Sequence, residues 1–282
     1  KGWPMIIIGV NAYHGDASAC IVIDGKLLAS AEEERFKRIK HWAGFPVEAI
    51  QYCLNEVNLS LSDVDHVAIN TDPKVNFLKK VGFTLKNRPD FRMILDKIKT
   101  KKQRTNIGTE LTSAFPGECF SGKMHYVEHH LSHLASAHLV SPFEDSVSIS
   151  VDGFGDFSSA AWGVCSGNTI SVDKRVFFPH SLGIFYQALT QFIGFPHDGD
   201  EYKVMGLAPY GKPTYLEQLR KVVHINTDGT FKLNLNYFRH HNEKIEHEWA
   251  SGSPEVGSLS NQKELEELLG FSMRAKDSPL DH

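Results

Sequence analysis

Apolar residues fall on alternate positions or in short unbroken runs over Met5–Val10, Ala19–Asp24 and Leu27–Ala31, which predicts three successive strands. The Asp24-Gly25 pair between the last two is a two-residue hairpin signal, so the chain opens with an antiparallel meander. The period then changes. Val47, Ile50, Leu54 and Val57 recur at helical spacing within Pro46–Val57, and Val64–Ile69 returns to a short buried strand. Phe91, Ile94, Leu95 and Ile98 predict an amphipathic helix that runs into the basic stretch Lys97–Arg104. A strand over Lys123–Val127 feeds a histidine-rich helix, and Ser146–Val151 is a strand that delivers Asp152. Ala160–Cys165 and Ile170–Phe177 read as a hairpin turned by Gly167-Asn168. Leu182–Ile193 is helical in pattern, and Asp198-Gly199-Asp200 caps a helix from Glu201 that Pro209-Tyr210-Gly211 stops. Ala250–Ser260 reads as a loop and Gln262–Leu269 as a short helix. This order of elements predicts an α/β fold, with a mixed sheet flanked by helices and no internal repeat.

Bulk properties narrow the partners. A chain of 282 residues with 41% apolar side chains can bury a substantial core, as one large domain or two intimate lobes. A net charge of -4 and a pI near 6.4 give no general attraction to nucleic acid or an anionic membrane, so a small partner is expected. The basic run Lys97–Arg104 is then a solvated helix face, with anion binding as the alternative. Cys20, Cys53, Cys119 and Cys165 are scattered in apolar surroundings with no Cys-x-x-Cys pair, which predicts reduced, buried thiols and a cytoplasmic setting. Met5–Val10 is too short for a signal-peptide core, and no apolar run approaches the roughly 20 residues of a membrane span. The patch Arg239, His240, His241, Glu243, Glu246, His247 and Glu248 reads as wet surface, with a metal site as the alternative.

Four stretches carry candidate chemistry. His129 and His133 are separated by about 400° of helical rotation, nearly one face, so both imidazoles can reach one metal ion; His130 points about 100° away. His138 is read as a surface or capping group, and structural histidines remain the alternative for the pair itself. Two imidazoles leave a first-row metal unsaturated, so a further ligand is expected from elsewhere. In the Val10–Ser18 loop, Asn11 and Gly15 suit close approach to phosphate oxygens, and His14 beside Asp16 suggests an imidazole base oriented by a carboxylate. A polar hairpin tip is the plain alternative. Asp152, Gly153, Gly155 and Asp156 form a second candidate loop, whose glycines permit positive φ and whose carboxylates suit a bridging cation or ligand hydroxyls; otherwise it is a tight turn. Glu201 and Lys203 open a helix whose N-terminus favours an anion, with Glu201 placed to steer Lys203, unless this is simple capping. Arg35, Lys37, Arg38 and Lys40 are surface charges or a screen for a phosphoryl group or similar ligand.

In this combination and order the stretches Val10–Ala19, Ala31–Phe36, Glu128–Ala137, Val151–Asp156 and Gly199–Gly211 resemble the N-terminal part of the O-carbamoyltransferases of the NodU/CmcH family. The resemblance covers most of residues 5–211. It implies an actin-like ATPase (ribonuclease H-like) fold akin to the tRNA threonylcarbamoyl transferases, with a first lobe over residues 1–145 and the start of a second over 146–282. It also implies that His129 and His133 bind iron or another divalent metal. The chemistry implied is carbamoyl-adenylate formation from ATP and carbamoyl phosphate, then transfer to a hydroxyl of a small metabolite or sugar. His14 and Asp16 would assist deprotonation of the acceptor, Lys203 would balance the leaving phosphate, and Mg would accompany the nucleotide. Family members run on past the position of His282, so the second lobe is expected to be incomplete, the C-terminal adenylate-forming domain absent, the third ligand beyond residue 282 and the isolated chain poorly active. A homodimer is a further expectation. The competing functions are a small-molecule kinase of the same superfamily, which has no need of His129 and His133, and a non-catalytic nucleotide-binding module.

Overall fold

A computed structural model describes residues 4–87, 107–248, 254–276, 278 and 279. The described chain divides into two compact units, one of residues up to 75 with 107–129, the other of 76–87 with 130 onward. The helix expected around Phe91 and its basic extension lie outside the described residues.

The first unit is built on a five-stranded sheet. Strands β1 (Ile6–Asn11), β2 (Ser18–Ile23), β3 (Lys26–Glu32), β4 (His66–Ile69) and β5 (Lys123–Tyr126) lie in the order β3-β2-β1-β4-β5. The meander β1-β2-β3 is antiparallel, as the Asp24-Gly25 signal requires, whereas β4 and β5 join parallel to β1. Period-2 alternation puts Ile6, Ile8 and Val10 on the buried face, where Ile8 lies opposite Ile21 and Val67. Helix α1 (Val47–Glu56) covers that face with Ala49, Ile50, Cys53 and Leu54. The carboxylate of Glu33, fully buried after β3, accepts from the amides of Glu48 and Ala49 at 3.2 and 2.8 Å, so the positive end of α1 balances the buried charge. Ile107 and Leu111 of helix α3 (Ile107–Ala114) complete the core. Because β1, β4 and β5 run parallel, the loop after Asn11, residue Asn70 and the chain leading to His129 all leave the same edge of the sheet.

The second unit contains helix α2 (Phe77–Asn87) and an antiparallel sheet of β6 (Asp145–Gly155), β7 (Ser158–Ser166) and β8 (Thr169–Phe177). Helix α4 (His129–His138) begins on the last residue of the first unit and continues into the second. Helices α5 (Leu182–Phe192), α6 (Glu201–Leu207) and α7 (Gln262–Leu269) follow. Ala188, Val222, Leu233, Phe238, Val256 and Leu259 form the main core of this unit.

Four expectations change. Strand β6 continues through Gly155 with lapsed pairing after Val151, so Asp152–Gly155 is not a turn. The turn lies at Asp156 and Phe157, and these two, rather than Gly153 or Gly155, take the left-handed φ of a two-residue hairpin at 49° and 74°. His240 is buried among the rings of Phe154, Phe178 and Phe238, its Nε2 2.8 Å from the carbonyl of Pro179, because an imidazole that finds an acceptor can leave water. Residues Glu255–Val256 pair with His247–Glu248 inside the segment read as a loop, and Cys119 is exposed rather than buried. Among the described residues no helix is long and apolar enough to cross a membrane.

Candidate functional site

Helix α4 sorts its histidines by the strand it faces. On β6 every second residue points toward the helix, and Ser146, Ser150 and Asp152 meet His138, His130 and His133 respectively. His138 is buried, with Nδ1 2.8 Å from Ser146 Oγ and Nε2 2.9 Å from the carbonyl of Gly167, so it ties the helix to the sheet rather than sitting at the surface. His130 is fully buried, with Nδ1 2.8 Å from Ser150 Oγ.

The three groups His129, His133 and Asp152 present ligand atoms that all lie within 4.8 Å of one another. Helix geometry alone sets the two imidazoles one turn apart. His133 Nε2 is 3.4 Å from Asp152 Oδ2, with 47% and 38% of these side chains exposed, whereas His129 is 5% exposed. The Nδ1 of His129 lies 3.3 Å from the carbonyl of Asn70, an acceptor, so the proton sits on Nδ1 and Nε2 carries the lone pair. Ligands about 2.1 Å from one ion lie no more than roughly 4.2 Å apart, so small side-chain adjustments let this N,N,O set close on a divalent ion. The donor set therefore fits the metal that the resemblance implies. Within this chain Asp152 offers a carboxylate that could join the two imidazoles.

Asp152 is held by its neighbours. Ser181, the N-cap of α5, accepts from the amide of Ile184 at 3.1 Å and donates to the carbonyl of Asp152 at 2.9 Å, and the amide of Gly153 donates to Asp152 Oδ1 at 2.6 Å. Gly183 on α5 comes so near that a Cβ there would lie 2.7 Å from the nitrogen of Gly153. Asp156 is buried, and its carbonyl accepts from Asn76 at 2.9 Å.

The loop after β1 is ordered mainly by its own bonds. Asn11 donates through its side-chain amide to the carbonyls of Gly15 and Asp16 at 3.3 and 2.9 Å and accepts from Asn70 at 3.0 Å, which gives this residue a loop-shaping role. The ring of His14 lies 4.9 Å from that of His129. Asp16 does not orient His14: its carboxylate accepts from His41 Nδ1 at 2.9 Å. Sequence reasoning passed over His41, although its place in the basic segment after β3, beside Arg38 and Lys40, was a signal. In the second unit the Nζ of Lys203 lies 2.6 Å from Asp200 Oδ1, so Asp200, buried, rather than Glu201 positions this cation. Tyr186 donates to the carbonyl of Glu201 at 3.4 Å.

Comparison with known proteins supplies the remaining context. Residues 6–251 match the family described as the carbamoyltransferase N-terminus. An uncharacterized protein of Synechocystis sp. is 34% identical over 288 residues, covering 97% of this chain and 44% of that protein. Nodulation protein NolNO of Sinorhizobium fredii is 35% identical over 230 residues, covering 80% of this chain and 32% of that protein. The chain thus spans less than half the length of either. YeaZ from Pseudomonas aeruginosa shows a partial structural likeness at 13% identity, with a TM-score of 0.34 over 60% of this chain and 64% of that one.

Proposed function

The chain belongs to the carbamoyltransferase N-terminal family, and from that premise we propose that it carries the transfer centre of an enzyme that moves a carbamoyl group onto a hydroxyl of a small metabolite or sugar. The observation that carries this reading is the grouping of His129 and His133 of α4 with Asp152 of β6. The donor is read as a carbamoyl–phosphate mixed anhydride, the adenylate formed from ATP and carbamoyl phosphate. His129, His133 and Asp152 would hold a divalent ion, which would supply Lewis-acid polarisation of a carbonyl or phosphoryl oxygen.

The protein's own groups have separable tasks. The carbonyl of Asn70 keeps His129 in the ligating tautomer, and Ser181 keeps Asp152 in place. His14, packed on His129, is a hydrogen-bond donor for the donor's phosphate or carbonyl oxygens. Lys203, anchored on Asp200, supplies positive charge for the departing phosphate. A kinase of the same superfamily uses comparable loops for phosphoryl transfer but has no task for an imidazole pair with a carboxylate.

Two measurements test the proposal on the full-length protein. Metal analysis of the parent and of His129→Ala, His133→Ala and Asp152→Asn is expected to show a bound ion lost or strongly weakened in each variant. Incubation with ATP, labelled carbamoyl phosphate and a panel of monosaccharides and glycerol is expected to yield a carbamate ester by mass. Metal-free parent protein, or phosphorylated product in place of carbamate, would refute the reading.

A further inference from the structure

We infer that His41, paired with Asp16, is the base that takes the proton of the acceptor hydroxyl. The assignment rests on the carbamoyl-transfer reading and names the residue for a step that reading leaves open.

His41 and Asp16 are held as a preorganised pair within the first unit. Asp16 Oδ1 lies 2.9 Å from His41 Nδ1, and since a carboxylate only accepts, the ring carries its proton on Nδ1 and leaves the Nε2 lone pair free. Among the described residues the ring makes no other hydrogen bond. The side chains of His41 and Asp16 are 29% and 54% exposed, so the pair borders solvent. This imidazole–carboxylate arrangement is the base-and-orienter half of a catalytic triad, without a protein nucleophile attached.

The backbone around the pair is fastened on both sides. Tyr13 donates to the carbonyl of Gly44 at 3.2 Å and Ala17 to that of Trp42 at 2.9 Å, while the amide of His41 donates to Glu34 Oε2 at 3.1 Å. Tyr13, Asp16, Arg38 and His41 all adopt left-handed φ, between 53° and 61°, though none is glycine. Such conformations cost free energy and persist where the surroundings enforce them, often at functional sites.

Placement completes the argument. Asp16 is two residues from His14, no more than about 7 Å of chain, and the ring of His14 lies 4.9 Å from that of His129. The dyad thus stands at the carboxyl-end edge of the sheet from which the metal-ligating histidine is reached, where open α/β sheets bind their ligands. The charged groups set against His41 are Asp16 on its ring and Glu34 on its amide. In the step itself the acceptor oxygen bonds to the carbamoyl carbon while the bond from that carbon to the phosphate oxygen of the mixed anhydride breaks. The phosphate leaves with the bonding pair, and the hydroxyl proton passes to Nε2 of His41.

The test compares parent, His41→Asn, His41→Ala and Asp16→Asn full-length proteins, using whichever compound of the monosaccharide and glycerol panel the parent carbamoylates. Asparagine at position 41 can still donate to Asp16, so it keeps the strap and removes only the base. Transfer by His41→Asn is expected to fall by about 10²- to 10⁴-fold with loss of the acid-side limb of the pH profile, and added imidazole is expected to restore part of the activity of His41→Ala. Metal content is expected to be unchanged in all four. A His41→Asn protein within twofold of the parent with the same pH profile would show a strap alone and overturn the assignment. A parent that makes no carbamate ester overturns the transfer reading and the assignment with it, whereas an active parent with an active His41→Asn overturns the assignment alone.

Discussion

Replacing Gly183 by alanine is the sharpest structural perturbation of the proposed metal centre. The new Cβ would sit 2.7 Å from the nitrogen of Gly153 and 2.8 Å from the carbonyl carbon and oxygen of Asp152, all backbone atoms with no rotamer to yield. Restoring ordinary contact near 3.5 Å requires α5 and the Asp152 strand to separate by about 0.8 Å. Overpacking of this kind costs about 1–3 kcal/mol, and removing a glycine from a helix returns up to about 1 kcal/mol, so a net destabilisation of about 1 kcal/mol is expected. The effect on the metal is larger. Displacing Asp152, as loss of an outer-shell support does, is expected to weaken the ion about 10- to 100-fold. Competition of the apoprotein against a chromophoric chelator reads the affinity, and the thermal midpoint of the same sample reads the stability. Gly153→Ala is the matched control, because its Cβ meets no atom within 4 Å, and it is expected to be neutral in stability within about 0.5 kcal/mol. Parent-like affinity in Gly183→Ala would refute the positioning argument, and so would equal damage from Gly153→Ala.

Further outcomes follow from the same unit. Ser181→Ala removes the cap of α5 and the hydroxyl donated to Asp152, and denaturant titration should show a loss of about 1–2 kcal/mol; an unchanged midpoint would contradict the cap. Lys203→Met leaves the buried Asp200 carboxylate without its cation and should cost about 1–3 kcal/mol, while adding Asp200→Asn should recover part of it; a double variant no more stable than Lys203→Met would count against the pairing. Burial, then the charge of Lys232 and the nearby His241, holds the His180 imidazole below the usual histidine range, and its Nδ1 accepts from the amide of Leu233. Below about pH 6.5 the unfolded chain therefore binds the proton that the folded ring refuses. This contribution is complete above that pH and is lost as pH falls toward the lower folded value. Urea midpoints at pH 7.5 and 5.5 should show the decline, and His180→Gln should flatten it; equal slopes in both proteins would remove His180 as the cause.

Much of the first unit was legible because its signals are local. Ile6, Ile8 and Val10 alternate, Asp24-Gly25 permits one tight turn, and Val47, Ile50 and Leu54 share a helix face, so the elements there follow from spacing. The glycine run Asp152–Asp156 misled for a physical reason: permissive φ is an allowance, and the strain fell instead on Asp156 and Phe157, which the β6–β7 register puts at the turn. His240 misled because a histidine among charged neighbours looks wet, while a distant carbonyl at Pro179 and three phenylalanine rings enclose it.

Within the proposed site the division is similar. The pairing of His129 with His133 is a property of helical pitch and could be read from two positions in a string. Which carboxylate joins them, which histidines of α4 are structural, and which imidazole Asp16 holds could not. Those choices depend on β6 lying along α4 with Ser146, Ser150 and Asp152 on one face, and on the segment after β3 folding back onto the loop after β1. Contacts between residues far apart in sequence follow from packing that minimises the free energy of the whole chain, which no local pattern encodes.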